Sequence, residues 1–359
     1  MKKLICTLAV ACAGRAGTLY LGAYPNSVIV FDEAQGKIAD RIPLTTGLPS
    51  SIRLSQDRKK IYVTTLDHSG IEVIDIATRK VINKFTLNTE TKRYRMMGGS
   101  PDPEGKLLST TTTEIDKQVD RYEIGKPKYT VIDLVAQKIA KTVDIPREDE
   151  NANGGGRGGG FEVSPDGKYL YQFRDSVIIL NSSDFKEVER IELSKPELPG
   201  QEMVGFGGVL DSLNTDPGQR VTLVNSTDPI VHNRVFGIGR FDLTTRKFSF
   251  TPIGPSPAAA AGIHVAPDRK AAYTIVSNGM HGNRRCEFWA FDLGTNRIAR
   301  TAEVPCRTRF SFGMSTDGKK LYIYGAGFEI EVYDAATLKY ERTWDLNNDV
   351  TMAGMIALP

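Results

Sequence analysis

The sequence contains few of the residues from which catalytic and metal sites are usually built, with only four histidines and four cysteines among 359 residues. It has no Gly-x-Ser-x-Gly nucleophile elbow, no His-Glu-x-x-His zinc motif and no Cys-x-x-Cys-His haem site. No residue can therefore be named as a catalytic nucleophile or general base from these motifs.

Helical spacing is also missing, because apolar residues nowhere recur three and four positions apart over a dozen residues. A β-hairpin recurs instead. Residues Phe161 to Tyr171 form two short apolar strands around a Ser-Pro-Asp-Gly turn, in which Pro, Asp and Gly each favour a tight reversal. A close copy begins at Ser315, and looser copies begin at Ser55, Asp102 and Ala266.

A second repeated feature counts the units. Seven apolar strands end in Asp or Asn just before a polar turn, 42 to 61 residues apart, at Asp32, Asp75, Asp133, Asn181, Asp242, Asp292 and Asp334. Each unit therefore has four strands, which we letter a to d. Four-stranded units at this period predict an all-β fold, a seven-bladed β-propeller of antiparallel blades.

The two ends of the repeat predict how the ring closes. Before Asp32 there is one strand too few, since only Leu19 to Tyr24 precedes strand c of the first unit. After the last outer strand, Tyr340 to Leu346, one strand is left over, Ala353 to Leu358. We expect this C-terminal strand to become strand a of blade one, which would remove the open edges of the sheet.

The N-terminus predicts export. Lys2 and Lys3 precede an apolar run and the small residues around Ala16, so we expect residues 1–16 to be a signal peptide and 17–359 to be one propeller domain. A lipoprotein signal at Cys12 is the alternative. Cleavage after Ala16 would take the formal net charge from +3 to zero, which gives no electrostatic case for nucleic acid or an anionic membrane. We expect a periplasmic or extracellular protein without a membrane span.

Two cysteines would remain after cleavage, Cys286 and Cys306, and they flank the hairpin of strands c and d in blade six. Counting outward from the turn puts them nearly opposite each other, so an exported protein could join them in a disulfide. Two buried free thiols are the alternative.

The long connections are predicted to lie on one side. They include Glu114 to Lys128, residues 147–160 with the glycine run Gly154 to Gly160, Ser194 to Gln201, Asn225 to Val235 and Ser277 to Arg285. All of them join strand b to c or strand d to the next strand a, and these connections emerge on the same face of a propeller. Short turns only are expected on the opposite face. We therefore place a binding face on the long-loop side, with tolerated loop drift as the alternative.

The residues expected on this binding face are polar, basic or aromatic: Tyr122, Lys126, Arg157, His232, Arg234, His281, Arg284 and Arg285. His232 and His281 lie on adjacent blades, but no third ligand is spaced to complete a metal site, so no metal is predicted. The glycine run reads as a flexible connector and not as a phosphate-binding nest. Asp211, Asn214 and Asp216 are expected in the a–b turn of blade five.

The Ser-Pro-Asp-Gly hairpins, the Val-Ile-Asp strands, the segment Tyr122-Glu123-Ile124 and the ending Val332-Tyr333-Asp334 together resemble the YVTN-type seven-bladed propellers. Within that group the chain is most similar to the β subunit of quinohemoprotein amine dehydrogenase. That resemblance implies a periplasmic complex in which this chain holds no cofactor. Partner subunits would carry haem and a tryptophan-derived quinone, and the propeller would dock them.

Three functions follow as hypotheses. The first is a non-catalytic binding or scaffold subunit of an amine-dehydrogenase-like redox complex. The second is a stand-alone propeller that binds a protein or glycan at the cell surface. The third is a propeller lactonase or hydrolase, for which the sequence offers mainly His264 and Glu162 near the central channel.

Overall fold

The computed structural model of the chain describes residues 17–96, 98–146, 161–173, 175–195, 197, 202–206, 218–228, 230, 233–307, 310–325 and 327–359, without the side chain of His281. The predicted signal peptide, the glycine run and residues 211, 214 and 216 lie outside the described residues. Strands form seven antiparallel sheets in a ring, and the described part contains no α-helix. The predicted seven-bladed β-propeller is confirmed.

Each blade has four strands in the order a to d from the central channel outward. Blade one consists of Val350–Leu358, Thr18–Ala23, Ser27–Asp32 and Lys37–Pro43, and blade two of Pro49–Leu54, Lys60–Thr65, Gly70–Asp75 and Lys80–Thr86. Blade three has strand a in two pieces, Lys92–Met96 and Ser100–Pro101, then Leu107–Lys117, Tyr122–Asp133 and Lys138–Asp144. Blade four consists of Glu162–Val163, Tyr169–Phe173, Ser176–Asn181 and Glu187–Glu192.

Blade five consists of Val204–Phe206, Gln219–Thr227, Arg234–Asp242 and Lys247–Pro255. Blade six again has strand a in two pieces, Ala259–Ala260 and His264–Val265, followed by Ala271–Asn278, Arg285–Asp292 and Arg297–Val304, with a 3-10 turn at His281–Asn283. Blade seven consists of Ser311–Met314, Lys320–Tyr324, Glu329–Asp334 and Tyr340–Asp345.

Side-chain hydrogen bonds explain why the Ser-x-Asp-Gly turn recurs between strands a and b. In blade four Ser164 Oγ donates to Asp166 Oδ1 at 2.6 Å and accepts from the backbone N of Tyr169 at 2.9 Å. Gly167 has φ +72°, a left-handed conformation that glycine adopts without strain. Blade seven repeats the same bonds from Ser315.

The Asp at the end of strand c holds the c–d turn. Asp32 Oδ1 accepts from the backbone N of Ala34 at 2.8 Å and of Gln35 at 3.0 Å. Asp334 accepts from the N and Oγ1 of Thr337, both at 2.8 Å. The repeated Asp in the sequence is therefore a turn residue and not a catalytic carboxylate.

The C-terminal strand closes the ring as predicted. Val350–Leu358 pairs antiparallel with Thr18–Ala23, with Thr18 opposite Leu358 and Tyr20 opposite Ile356. Blade one is thus built from both ends of the described chain. The C-terminal strand thereby supplies the inner strand that blade one would otherwise lack and ties the first blade to the end of the chain.

The core consists of seven clusters, each lying between two neighbouring blades. Leu19, Phe31 and Tyr322 pack together between blades one and seven, and Tyr20, Ile61 and Ile356 are in the cluster between blades one and two. Strands b and c are buried on both faces, which explains their nearly continuous apolar sequences. Outer strands alternate instead, as in Lys80–Thr86, because one side faces water.

One detail differs from the sequence-based expectation. Residues Glu114 to Lys128 were expected to form a loop, but most of them extend strands b and c of blade three into a long hairpin, with only residues 118–121 as its turn. Residues 207–217, between strands a and b of blade five, lie outside the described residues.

A disulfide joins Cys286 and Cys306 across blade six, with Cα atoms 5.2 Å apart. Cys286 lies near the start of strand c, and Cys306 follows the end of strand d. The bridge therefore fixes the connection to blade seven on the binding-face side.

We expect the Cys306→Ser variant to lose about 3 kcal/mol of unfolding free energy, because the bridge closes a loop of 20 residues. Chemical denaturation of the two proteins measures the difference. The double variant Cys286→Ser/Cys306→Ser should lose no more than the single variant. A single variant as stable as the parent would contradict the expectation.

Candidate functional site

The central channel contains an ionic cluster that joins three blades. Glu162 on strand a of blade four accepts from Arg53 of blade two at 3.2 Å and from Arg220 of blade five at 3.3 Å. The Glu162 side chain is 15% exposed and that of Arg220 is 5% exposed. The carboxylate is therefore held between two guanidinium groups in a mostly buried position.

Burial alone would raise the pKa of Glu162, but the charges of Arg53 and Arg220 and their hydrogen bonds lower it below its ordinary value. The group is a permanently ionised carboxylate at neutral pH. A carboxylate of this kind is a poor proton donor and is already fully engaged, so it does not suit the acid role that a hydrolase needs.

His264 is the other channel residue with acid–base chemistry. It lies on strand a of blade six, is 7% exposed and donates from Nε2 to the backbone oxygen of Phe312 at 2.9 Å. Its ring also packs edge-on against the Phe312 ring. Burial lowers the pKa of His264 to about 4, so the imidazole is neutral at physiological pH and serves to hold blades six and seven together.

On the binding face, buried polar side chains fix several connections between blades. Glu72 is fully buried, and its Oε1 accepts from the backbone N of Thr45 at 2.6 Å and of Thr46 at 2.7 Å, which holds the connection from blade one to blade two. Between blades six and seven, Arg307 donates to Glu329 at 2.8 Å and also contacts Glu331. These connections form a preorganised frame.

Between strands b and c, the connections of the same face expose large apolar side chains. Six of the seven blades present at least one in the described part of the chain: Tyr24, Leu66, Val119, Ile230, Met280 and Phe328. Val119 and Ile230 are among the most exposed, at 107% and 85%. An apolar rim on one side of a propeller is typical of a protein-binding surface.

The residues predicted for this face are spread over three blades. Tyr122 and Lys126 lie on the blade-three hairpin, Arg234 begins strand c of blade five, and Arg284 and Arg285 lie at the start of strand c in blade six. Arg234 and the pair Arg284 and Arg285 therefore lie at the b–c connections of adjacent blades, and their role as a binding patch stays a prediction. Arg157, His232 and the side chain of His281 lie outside the described residues.

Sequence reasoning missed a second set of basic residues on the same face. Arg93 and Arg95 lie on strand a of blade three and Lys117 on strand b, all exposed. The alternation Lys92-Arg93-Tyr94-Arg95 is the signal that could have found them, because alternate residues of a strand share one side.

A shallow groove of about 470 Å³ lies between blades six and seven, and its lining includes Glu331, Tyr333 and Tyr340. Glu331 is already engaged, since Tyr333 donates to it at 2.8 Å and Arg307 contacts it.

Among the described residues no cluster of three or more His, Cys, Asp or Glu could hold a metal, and no helix there is long and apolar enough to cross a membrane.

We expect Glu162→Ala to lower the unfolding free energy by about 3 kcal/mol at neutral pH, because it leaves the buried guanidinium of Arg220 without its carboxylate and also removes the pair with the partly exposed Arg53. The folded-state pKa is lowered, so this contribution is present above the ordinary pKa of 4.5 and disappears as pH falls below it. Denaturation at pH 7 and pH 3 measures both effects. Glu187→Ala, which removes an exposed pair with Arg190, is the control and should cost under about 1 kcal/mol.

His264 predicts a separate pH effect. The unfolded chain binds a proton to this imidazole near its ordinary pKa of 6.5, whereas the folded chain binds it only near pH 4, so acidification favours unfolding. As the pH is lowered from 6.5 to 4, the unfolding free energy of the parent should therefore fall by about 3 kcal/mol more than that of the His264→Gln variant. Thermal unfolding of both proteins over this pH range measures the difference. If the stability of the parent and of the His264→Gln variant falls equally with pH, the expectation is contradicted.

Comparison with known proteins supports the architecture. No protein-family model and no curated protein match the chain. A functionally unknown protein from Desulfotomaculum acetoxidans is 11% identical, with a TM-score of 0.56 over 94% of this chain and 99% of that chain. Apo AztD from Citrobacter koseri is 13% identical, with a TM-score of 0.52 over 96% and 98% of the two chains.

A third structure, dihydro-heme d1 dehydrogenase NirN in complex with DHE, is 14% identical, with a TM-score of 0.53 over 95% of this chain and 75% of that chain. At identities this low, the likeness to all three structures shows the shared β-propeller fold alone.

Proposed function

We propose that this protein is an exported, non-catalytic propeller subunit that binds a protein partner through the face formed by its b–c and d–a connections. The exposed apolar side chains on the b–c connections of six blades support the proposal most directly. Burying such side chains against a partner stabilises a complex by about 25 cal/mol per Å² of apolar surface removed from water.

The state of the channel residues supports a binding role over a hydrolytic one. Glu162 is paired with two arginines, and His264 is neutral and bonded to the backbone. Both side chains are therefore used in contacts between blades. The disulfide in blade six suits an oxidising compartment and therefore supports the proposed export.

The more specific form of the proposal is a subunit of an amine-dehydrogenase-like periplasmic complex. It rests on the sequence resemblance to the quinohemoprotein amine dehydrogenase β subunit. In that form the partners are a haem-containing chain and a small quinone-bearing chain, and both redox groups belong to the partners.

The test is a tagged pull-down from the exported fraction of the native organism, followed by an absorption spectrum of the eluate. We expect partner chains with a haem spectrum and a small quinone-positive chain. A colourless complex with another protein would contradict the dehydrogenase form and keep the binding role. A single-chain eluate would contradict both.

Face variants locate the contact. Met280→Asp and Phe328→Asp place charges on the binding face, and we expect either to reduce partner recovery by at least about tenfold. Val135→Asp and Val188→Asp, at exposed apolar positions away from that face, are the matched controls and should leave recovery unchanged. Equal recovery with all four variants would contradict the assigned face.

A further inference from the structure

The hairpin of blade three extends beyond its neighbour on the binding face. Its strands are Leu107–Lys117 and Tyr122–Asp133, whereas strands b and c of blade four are only Tyr169–Phe173 and Ser176–Asn181. We call residues 113–127 the arm. Strand a covers the inner edge of the arm, because Lys92–Met96 pairs with residues 112–116.

The outer edge of the arm is open among the described residues. Strand d of blade three pairs with strand c only from Lys128, opposite Asp144, to Asp133, opposite Lys138. No described strand pairs with residues 122–125 on that side. Residues 122 to 125 each have a backbone N–H, and Pro127, which has none, lies outside this stretch.

The phase of the ladder shows which backbone groups face the open edge. Gln118 N donates to Arg121 O at 2.8 Å, and Asp116 lies opposite Glu123. In an antiparallel ladder, pairs that bond each other alternate with pairs that do not. Glu123 therefore bonds across to Asp116, while the N–H and C=O groups of Tyr122 and Ile124 point outward.

The same two residues expose apolar side chains on one side of the arm. Tyr122 is 57% exposed and Ile124 is 73% exposed. Ile124 lies opposite Ile115, and Tyr122 opposite Lys117, so these four side chains share one side of the sheet. A strand edge with exposed apolar side chains beside it is a template for pairing with another chain.

Charge is separated across the arm. Arg93 lies opposite Ile115 and Arg95 opposite Thr113, which puts both on the same side as Lys117. These three cations form no salt bridge with a described residue. On the other side the carboxylates of Glu114, Asp116 and Glu123 are paired with Lys92 or Arg121. The side next to Tyr122 and Ile124 therefore carries an uncompensated positive field.

We propose that the arm binds an extended, acidic segment of a protein partner, which adds as a β-strand to the edge at residues 122–125. Apolar side chains of the segment pack on Tyr122 and Ile124, while the cations attract the segment at a distance and do not form direct pairs. The inference rests on the proposed function.

The test is residue-resolved amide hydrogen exchange on the full protein. The probe is an eight-residue peptide in which a pair of glutamates at each end flanks alternating valine and threonine, so that its valines can pack beside Tyr122 and Ile124 while its glutamates lie at the two ends. In the free protein the amides of Tyr122 and Ile124 should exchange fast and that of Glu123 slowly. With the peptide at about 1 mM, we expect the first two to slow at least about threefold, while Glu123 remains unchanged. The matching peptide with lysine in place of each glutamate should have no effect.

Variants separate the backbone from the charge contribution. Ile124→Pro removes an outward N–H and should abolish the effect of the peptide, whereas Ile124→Ala keeps that N–H and should retain part of it. Because proline can also disturb the hairpin, Arg93→Glu/Arg95→Glu is measured in parallel. This double variant should weaken peptide binding about threefold at low salt and much less at high salt. Arg300→Glu, on blade six, is the control and should leave peptide binding unchanged.

Three results would overturn the inference: slow exchange at Tyr122 and Ile124 in the free protein, no slowing with the peptide, or equal slowing with both peptides. The proposed function has a separate outcome. If Met280→Asp releases the partner and Ile124→Pro does not, the binding face stands and the arm is not its strand-pairing site.

Discussion

Every blade of this protein is a sheet that is apolar on both faces, and this requires a packed neighbour on each side. The seven inter-blade clusters meet that requirement only when the ring is complete. Completion depends on the pairing of Val350–Leu358 with Thr18–Ala23, which inserts the C-terminal strand between the channel and the first strand of the described chain. The remaining features of the structure follow from this closed ring.

A closed ring leaves two kinds of place where function can reside, the channel and the connections. In the channel the ionisable groups are used for cohesion. Glu162 ties blades two, four and five together through two arginines, and His264 bonds blade six to blade seven. The connections are different, because buried groups such as Glu72 fix their frame while apolar side chains such as Met280 remain exposed. Rigid frames that expose apolar side chains lose little entropy on binding.

The sequence was informative wherever a repeated local bond produces a repeated residue. Ser164 and Asp166 in the a–b turn, and Asp32 in the c–d turn, are recognisable because their side chains accept hydrogen bonds from nearby backbone N–H groups, and the same bonds recur in other blades. The blade count and ring closure followed from these residues. The facing positions of Cys286 and Cys306 followed from the hairpin register, and the structure joins them.

Sequence reasoning failed where contacts are distant or strands are exposed. Arg53 and Arg220 are 109 and 58 residues from Glu162, so nothing local links the three. The arm was interpreted as a loop because a strand exposed on both sides lacks the alternation of apolar and polar residues that marks a half-buried strand. The segment also contains Gly125 and Pro127, and both residue types are rare inside strands.

The central claim is that the face with the b–c and d–a connections binds a protein. The most direct measurement is hydrogen-exchange footprinting of the complex isolated from the native organism against the free protein. The account predicts that slowed amides lie in the b–c and d–a connections of several blades, with the a–b and c–d turns unchanged. Slowing confined to the a–b and c–d turns, or no difference on either face, would contradict it.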